Sequence, residues 1–186
     1  MILLDPDLDL DLAAAAKSAG LSPASAGSRA NRLPSARTLA RFLAQAQAAV
    51  RLRGQVTALL TTDAAIRRLN RQFRGKNKPT DVLSFPSDFP GPERIAGDLA
   101  ISVPTALRQA VERSHALSVE IKILILHGLL HLAGYDHETD TGQMARRERL
   151  LRARLGLPHG LIERTGTEPA RRAGAKARPS TQGLRS

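Results

Sequence analysis

Residues 117–133 form an almost unbroken apolar run: Leu117, Val119, Ile121, Ile123, Leu124, Ile125, Leu126, Leu129, Leu130 and Leu132 crowd into one segment. Apolar residues on every side of a helical wheel predict a helix buried in a core, not one lying on a surface. A membrane-spanning helix is excluded, because His127 and His131 interrupt the run before it reaches the roughly 20 apolar residues a bilayer demands. Ser118 is the expected N-cap, and Glu120 suits the positive helix start. Gly134 is the expected C′ residue, since glycine enters the left-handed region without strain. The fold must therefore be built around this helix, with two imidazoles in its apolar body.

Those imidazoles begin a spaced set. His127, His131 and His137 follow an H-x3-H-x5-H pattern, and the chain has only 5 histidines in all. Positions i and i+4 lie on one helix face, so two imidazoles can chelate one transition metal. The glycine turn then brings His137 alongside. One alternative is that these histidines are core or surface residues held by ordinary hydrogen bonds. A second is a purely structural metal, which usually takes four protein ligands and often cysteine. This chain has no Cys, and three ligands with an open fourth position favour a catalytic site.

The pattern is close to the H-E-x-x-H metalloprotease signature, in which a glutamate beside the first histidine is the general base. Gly128 occupies that position here. Asp136 and Glu138 flank His137, and on spacing alone each is either a base, a turn cap or a group orienting a metal ligand.

Charge narrows the partners. A net charge of +11 on 186 residues predicts attraction to polyanions such as RNA; the bland alternative is a generally Arg-rich composition. Much of the excess lies in Arg164, Arg171, Arg172, Lys176, Arg178 and Arg185, so residues 159–186 are expected to form a basic, disordered tail after a domain of 1–158. Aromatics are 3% of the chain, which makes stacking platforms for bases scarce. The absence of cysteine suits a reducing cytosol. Met1-Ile2-Leu3-Leu4 runs into acids, unlike a signal peptide. With no P-loop or G-x-G-x-x-G, no nucleotide cofactor is expected.

Along the chain, strict alternation in Asp7–Leu12 predicts a strand, and the Ala-, Ser-, Gly- and Pro-rich residues 13–34 predict a flexible loop insertion. A helix follows from Pro34-Ser35 to Val50. Strands are expected at 55–62, 81–85 and 95–103. Asp63 is the expected cap of a helix carrying Ile66, Leu69 and Phe73, and Pro104 opens another. Asp140 and Gln143 resemble a capping box for a last helix ending at Gly156. Four strands among several helices imply an α+β (α/β) domain, with a small mixed sheet covering one side of the histidine helix.

Two further segments gain meaning beside the histidines. One is Leu69-Asn70-Arg71-Gln72-Phe73-Arg74 with Lys78-Pro79-Thr80-Asp81-Val82-Leu83-Ser84-Phe85-Pro86; the other is Gly97-Asp98-Leu99-Ala100-Ile101-Ser102. Together with His127-Gly128-Leu129-Leu130-His131-Leu132-Ala133-Gly134-Tyr135-Asp136-His137 they resemble the YbeY family of bacterial endoribonucleases, or rRNA maturation factors, over roughly residues 55–156. The last helix, with Met144, Glu148 and the Leu155-Gly156 ending, is also similar; 13–34 and the tail are not. The resemblance implies a single-strand-specific, metal-dependent endoribonuclease that acts on the 3′ end of small-subunit rRNA and in ribosome quality control. It implies His127, His131 and His137 as ligands of one zinc ion, Arg74 as the residue essential for activity, the small ribosomal subunit as partner, a cytoplasmic location and no membrane.

Beside that resemblance, Asp81 is open between orienting a histidine and capping a turn. Asp98 is open between touching a metal-bound water and a structural role. Asp136 is expected to orient the ligand next to it, and His115 to end a helix without chemistry. The base is open among metal hydroxide, the RNA 2′-hydroxyl and a carboxylate. Two competing readings are a non-enzymatic ribosome-associated RNA-binding factor with a structural metal, and a metal-dependent hydrolase of another substrate.

Overall fold

The structure is a computed structural model that describes residues 1–87, 95–137 and 139–158. The candidate base Glu138 and the basic tail lie outside these residues. Strand β1 (Ile2–Leu4) is followed by α1 (Leu8–Ser18), a short α2 (Pro23–Ala26), a single 3-10 turn (Arg29–Asn31) and α3 (Ala36–Val50). Then come β2 (Gln55–Thr61), α4 (Asp63–Arg74), β3 (Val82–Pro86), β4 (Ile95–Ser102), α5 (Val103–Glu112), α6 (Leu117–Leu132) and α7 (Gln143–Arg154).

The sheet order is β1-β2-β4-β3. β1, β2 and β4 run parallel, and β3 is antiparallel to β4 with Leu83 opposite Ala100 and Phe85 opposite Asp98. This is the mixed α+β sheet that the sequence pattern implies. Alternation sorts its two faces. Leu99 and Ile101 belong to the main core with α3 and α6, whereas Leu83 and Ala100 meet Ile66 of α4 in a smaller cluster on the opposite face. β3 is an edge strand, and its open side looks into a cleft.

Helix α6 is the buried axis that its composition predicts, with eleven buried residues, Gly128 among them. It packs against α3, α5, β3 and β4. Its N-cap is Ala116, not Ser118, and makes no side-chain hydrogen bond. The charge at this end is instead handled by Glu120, which is fully buried and paired with Arg113 and His115. A buried carboxylate needs such partners, so His115 has a defined structural duty beyond ending a helix.

The N-terminal expectation is corrected in register and type. Asp7–Leu12 is not a strand: Leu8 begins α1, and the 13–34 stretch holds the rest of that helix, α2 and the 3-10 turn. Leu8, Ala15 and Ala16 are buried, with Leu12 packed beside them. The i, i+4, i+7, i+8 face continues through the alanines and overrides six residues of alternation, while Asp9 and Asp11 in the first turn favour the helix start. The strand lies earlier, where Ile2, Leu3 and Leu4 pair with Ala58, Leu59 and Leu60.

At α4 the N-cap is Thr62, whose hydroxyl accepts from the Ala65 N–H, so Asp63 does not cap. Asp63 ties α4 to the start of α5, accepting from Ser102 and from Thr105 and Arg108, the last two both at 2.7 Å. At α7 the N-cap is Gly142 and the expected capping box does not form, because the Asp140 N–H donates to the Asp136 carbonyl and not to Gln143; the Asp140 carboxylate still satisfies the helix start by accepting from the Gly142, Gln143 and Met144 N–H groups. Among the described residues no single helix is long and apolar enough to cross a membrane.

Candidate metal centre

Helix α6 ends in a Schellman turn. The Gly134 N–H donates to the His131 carbonyl and the Tyr135 N–H to the Leu130 carbonyl, with Gly134 at φ +87°. This reverses the chain within a few residues and carries His137 back over the last helical turn. The three rings meet at centroid separations of 4.8, 5.1 and 5.3 Å. One ligand atom from each of His127, His131 and His137 lies within 4.8 Å of the other two.

Their chemistry fits a metal. The Nε2 atoms of His127 and His131 are 3.2 Å apart, close to the ~3.4 Å spacing that two ~2.05 Å bonds make at a tetrahedral ion. Burial, then the neighbouring His127 and His137, push the His131 pKa below its ordinary value, against smaller opposing effects of Asp136 and the Tyr135 backbone. Neutral imidazoles with free lone pairs are the form a metal binds. The set could therefore hold one divalent ion.

Glu148, which the sequence offered only as part of the family-like last helix and without a role at the site, supports this set. His127 Nδ1 donates to Glu148 Oε2 of α7 at 3.1 Å, and Glu148 Oε1 accepts from Arg152 Nε at 2.9 Å. Burial alone would raise the Glu148 pKa; the hydrogen bond from His127 and the charge of Arg152 outweigh it and leave Glu148 lowered, hence ionised. A carboxylate on Nδ1 holds the proton there and leaves the Nε2 lone pair facing the other histidines.

The histidines stand in a cleft of about 1130 Å³ that also exposes Phe73, Arg74, Lys76, Lys78, Asp81 and Asp136. Arg74 is the last residue of α4 and faces the same space. The basic loop after it is held by Asn70, a buried residue whose Nδ2 donates to the Lys78 carbonyl at 2.7 Å; the sequence placed Asn70 in the family-like segment without giving it this role. The remaining acids separate. Asp136 sits beside His137 and electrostatically favours protonated His131. Asp81 lines the cleft, but its described hydrogen bonds go to Thr80, the Val82 N–H and Gln109 of α5. Asp98 is exposed on the sheet face turned toward α4, opposite Phe85, and is not among the residues lining the cleft.

Gly128 also has a spatial reason. A Cβ there would come within 2.7 Å of Leu99 Cδ2 and 3.3 Å of Ser84 Oγ. Position 128 faces the sheet, so the helix approaches β4 closely and the metalloprotease base position has no room for a side chain.

Comparison with known proteins follows the same lines. Residues 29–156 match the sequence profile of the family described as endoribonuclease YbeY. The endoribonuclease YbeY of Koribacter versatilis is 52% identical over 139 residues, spanning 75% of this chain and 89% of that protein. The protein of the same name from Solibacter usitatus is 59% identical over 106 residues, 57% of this chain and 69% of its own length. A solution structure from Thermotoga maritima is 25% identical with a TM-score of 0.47, covering 75% of this chain and 96% of that one.

Proposed function

This chain belongs to the endoribonuclease YbeY family, and on that premise we propose that it is a metal-dependent endoribonuclease that cuts single-stranded RNA in the maturation of small-subunit rRNA. The observation that carries the reading is the convergence of three histidine ligand atoms within 4.8 Å inside a cleft shared with Arg74, Lys76 and Lys78. A polyanionic substrate suits that charge, and the net charge of +11 suits a ribosomal partner.

His127, His131 and His137 hold the ion, and zinc matches an all-imidazole donor set at tetrahedral spacing. Once bound, such an ion supplies Lewis-acid stabilisation of a phosphoryl oxygen or a water of lowered pKa. The chain's own groups do the rest. Arg74 grips the phosphate through its planar fork, a bidentate geometry that lysine lacks. Lys76 and Lys78 attract the flanking phosphates. Glu148 fixes the His127 ring, and Asp136 biases the charge at His131. Residues 1–158 form the catalytic domain, the basic tail assists RNA capture, and the enzyme works in the cytoplasm.

The test is cleavage of single-stranded RNA by purified protein before chelation, after chelation and after metal is restored, with His131→Ala in parallel. Cleavage that needs the metal and is absent from the variant supports the reading. Equal cleavage by the variant exposes a contaminating nuclease, and metal removal that melts the domain while Arg74→Ala leaves RNA handling intact supports a structural metal instead.

A further inference from the structure

We propose that Phe73, seated edge to face on Phe85 at the mouth of the cleft, is a stacking platform for an unpaired base of the RNA that reaches the metal centre. This rests on the endoribonuclease reading and adds to it a subsite for a nucleobase.

The apolar stripe of α4 runs Ile66, Leu69 and Phe73. Ile66 is fully buried against Leu83 and Ala100, and Leu69 and Phe85 pack on that cluster. Phe73 is one turn further on, packed against Phe85 of the edge strand β3. It leaves 58% of its surface in water and is the one aromatic among the large exposed hydrophobic residues described. Its ring is held at 5.1 Å and 70° from that of Phe85, so the platform is oriented before anything binds. Two χ angles fixed in advance mean little ordering cost on association.

The surroundings select the occupant. Phe73 and Phe85 line the same cleft as the three histidines, with Arg74, Lys76 and Lys78 beside them. An apolar ring among cations suits a ligand that alternates flat faces with negative charges, which describes single-stranded RNA. A base inside a duplex already stacks on its neighbours and cannot use the platform without first being extruded. A single exposed aromatic beside the metal centre thus gives preference for unpaired RNA without reading sequence. It also answers the scarcity of aromatics in this chain: few are available, and Phe73, Phe85 and Tyr135 all line this cleft, Phe73 being the most exposed of them.

The test uses the full-length, metal-loaded protein and a short single-stranded RNA. Binding and cleavage are measured for wild type, Phe73→Leu and Phe73→Trp, each with intact RNA and with RNAs carrying one abasic nucleotide at successive positions. Phe73→Leu keeps an apolar cover over Phe85 and removes the stack. The expected result is about tenfold weaker binding for Phe73→Leu, the size of a single base–aromatic stack. The rise is in KM with kcat little changed, and Phe73→Trp recovers affinity. One abasic position should weaken wild type by a similar factor and leave Phe73→Leu indifferent. Equal RNA affinity for wild type and Phe73→Leu overturns the platform alone, as does an abasic penalty that is the same in both proteins. Should Phe73→Leu fail to fold, the abasic series on wild type decides: no position with a penalty overturns the platform. Wild type that neither binds nor cuts RNA overturns the endoribonuclease reading, and the platform with it.

Discussion

His127 is held from both sides of its ring, by Glu148 at Nδ1 and by the approach of His131 at Nε2. Only one tautomer satisfies the carboxylate, and that tautomer leaves the Nε2 lone pair facing the other two histidines. Removing the carboxylate frees the ring and the proton together. Glu148→Ala is therefore expected to weaken metal binding by about 10- to 100-fold, with Glu148→Gln intermediate because its amide oxygen still accepts. Chelator competition and the absorption spectrum of the cobalt-loaded protein would show it; unchanged affinity in both variants would leave Glu148 as no more than a partner of Arg152. In the sequence Glu148 is the single acid of α7, among Arg146, Arg147, Arg149, Arg152 and Arg154, and it stands there only as part of the family-like last helix. Nothing local reveals that it faces His127, because that contact depends on how α7 docks on α6. The histidines themselves were legible, since their spacing and the glycine turn are local. Asp81 and Asp98 were not resolvable, because the strand register that sends them to the turn and to the far face is set by pairing with distant residues.

The element that brings His137, the third candidate ligand, to the other two histidines is the turn after α6. Gly134 at φ +87° meets no crowding, so its cost to another residue is conformational. Gly134→Ala is expected to cost about 1–2 kcal/mol, seen as a lower melting temperature of the metal-stripped protein. It should also loosen metal binding by displacing His137. Between α4 and α5 the clamp is Asp63, which accepts from Ser102, Thr105 and Arg108. Burial acts to raise its pKa, and those hydrogen bonds with the Arg108 charge hold it below the ordinary carboxylate value. A carboxylate depressed in this way contributes stability that is complete above the unfolded pKa and fades as pH falls through the folded one. Asp63→Asn should therefore lower the melting temperature at neutral pH and flatten its decline below about pH 4. Asp63→Ala should cost about 1–3 kcal/mol by leaving three donors without their acceptor. An acid limb identical to wild type would show that Asp63 is not the group responsible. Helix α1 shows the limit of reading elements from pattern. Six alternating residues look like a strand until the alanines beyond them prove to continue a helical face, and α5 is there to receive it.

Across the whole molecule, charge and shape converge on one cleft, where β3 leaves an open edge and α4 and α6 bring their C-terminal ends. Cations line it, and the tail adds more along the chain. Deleting residues 164–186 is expected to weaken binding of single-stranded RNA at low salt. It should also reduce the slope of log K against log salt by about 0.7 for each phosphate that the tail neutralises. An unchanged slope would separate the tail from RNA capture. The sequence by itself determined the buried helix, the three histidines on and beyond its last turns, the basic character and the resemblance that the family comparison bears out. All of these live in short-range spacing or in composition. Tertiary structure alone decided that Glu148 pairs with His127, that position 128 faces Leu99, that Asp98 turns away, and that Phe73 packs on Phe85 in the cleft of the three histidines. Each of these depends on which side chains distant segments bring into contact, and that is set by packing the two faces of the sheet, which no local pattern encodes.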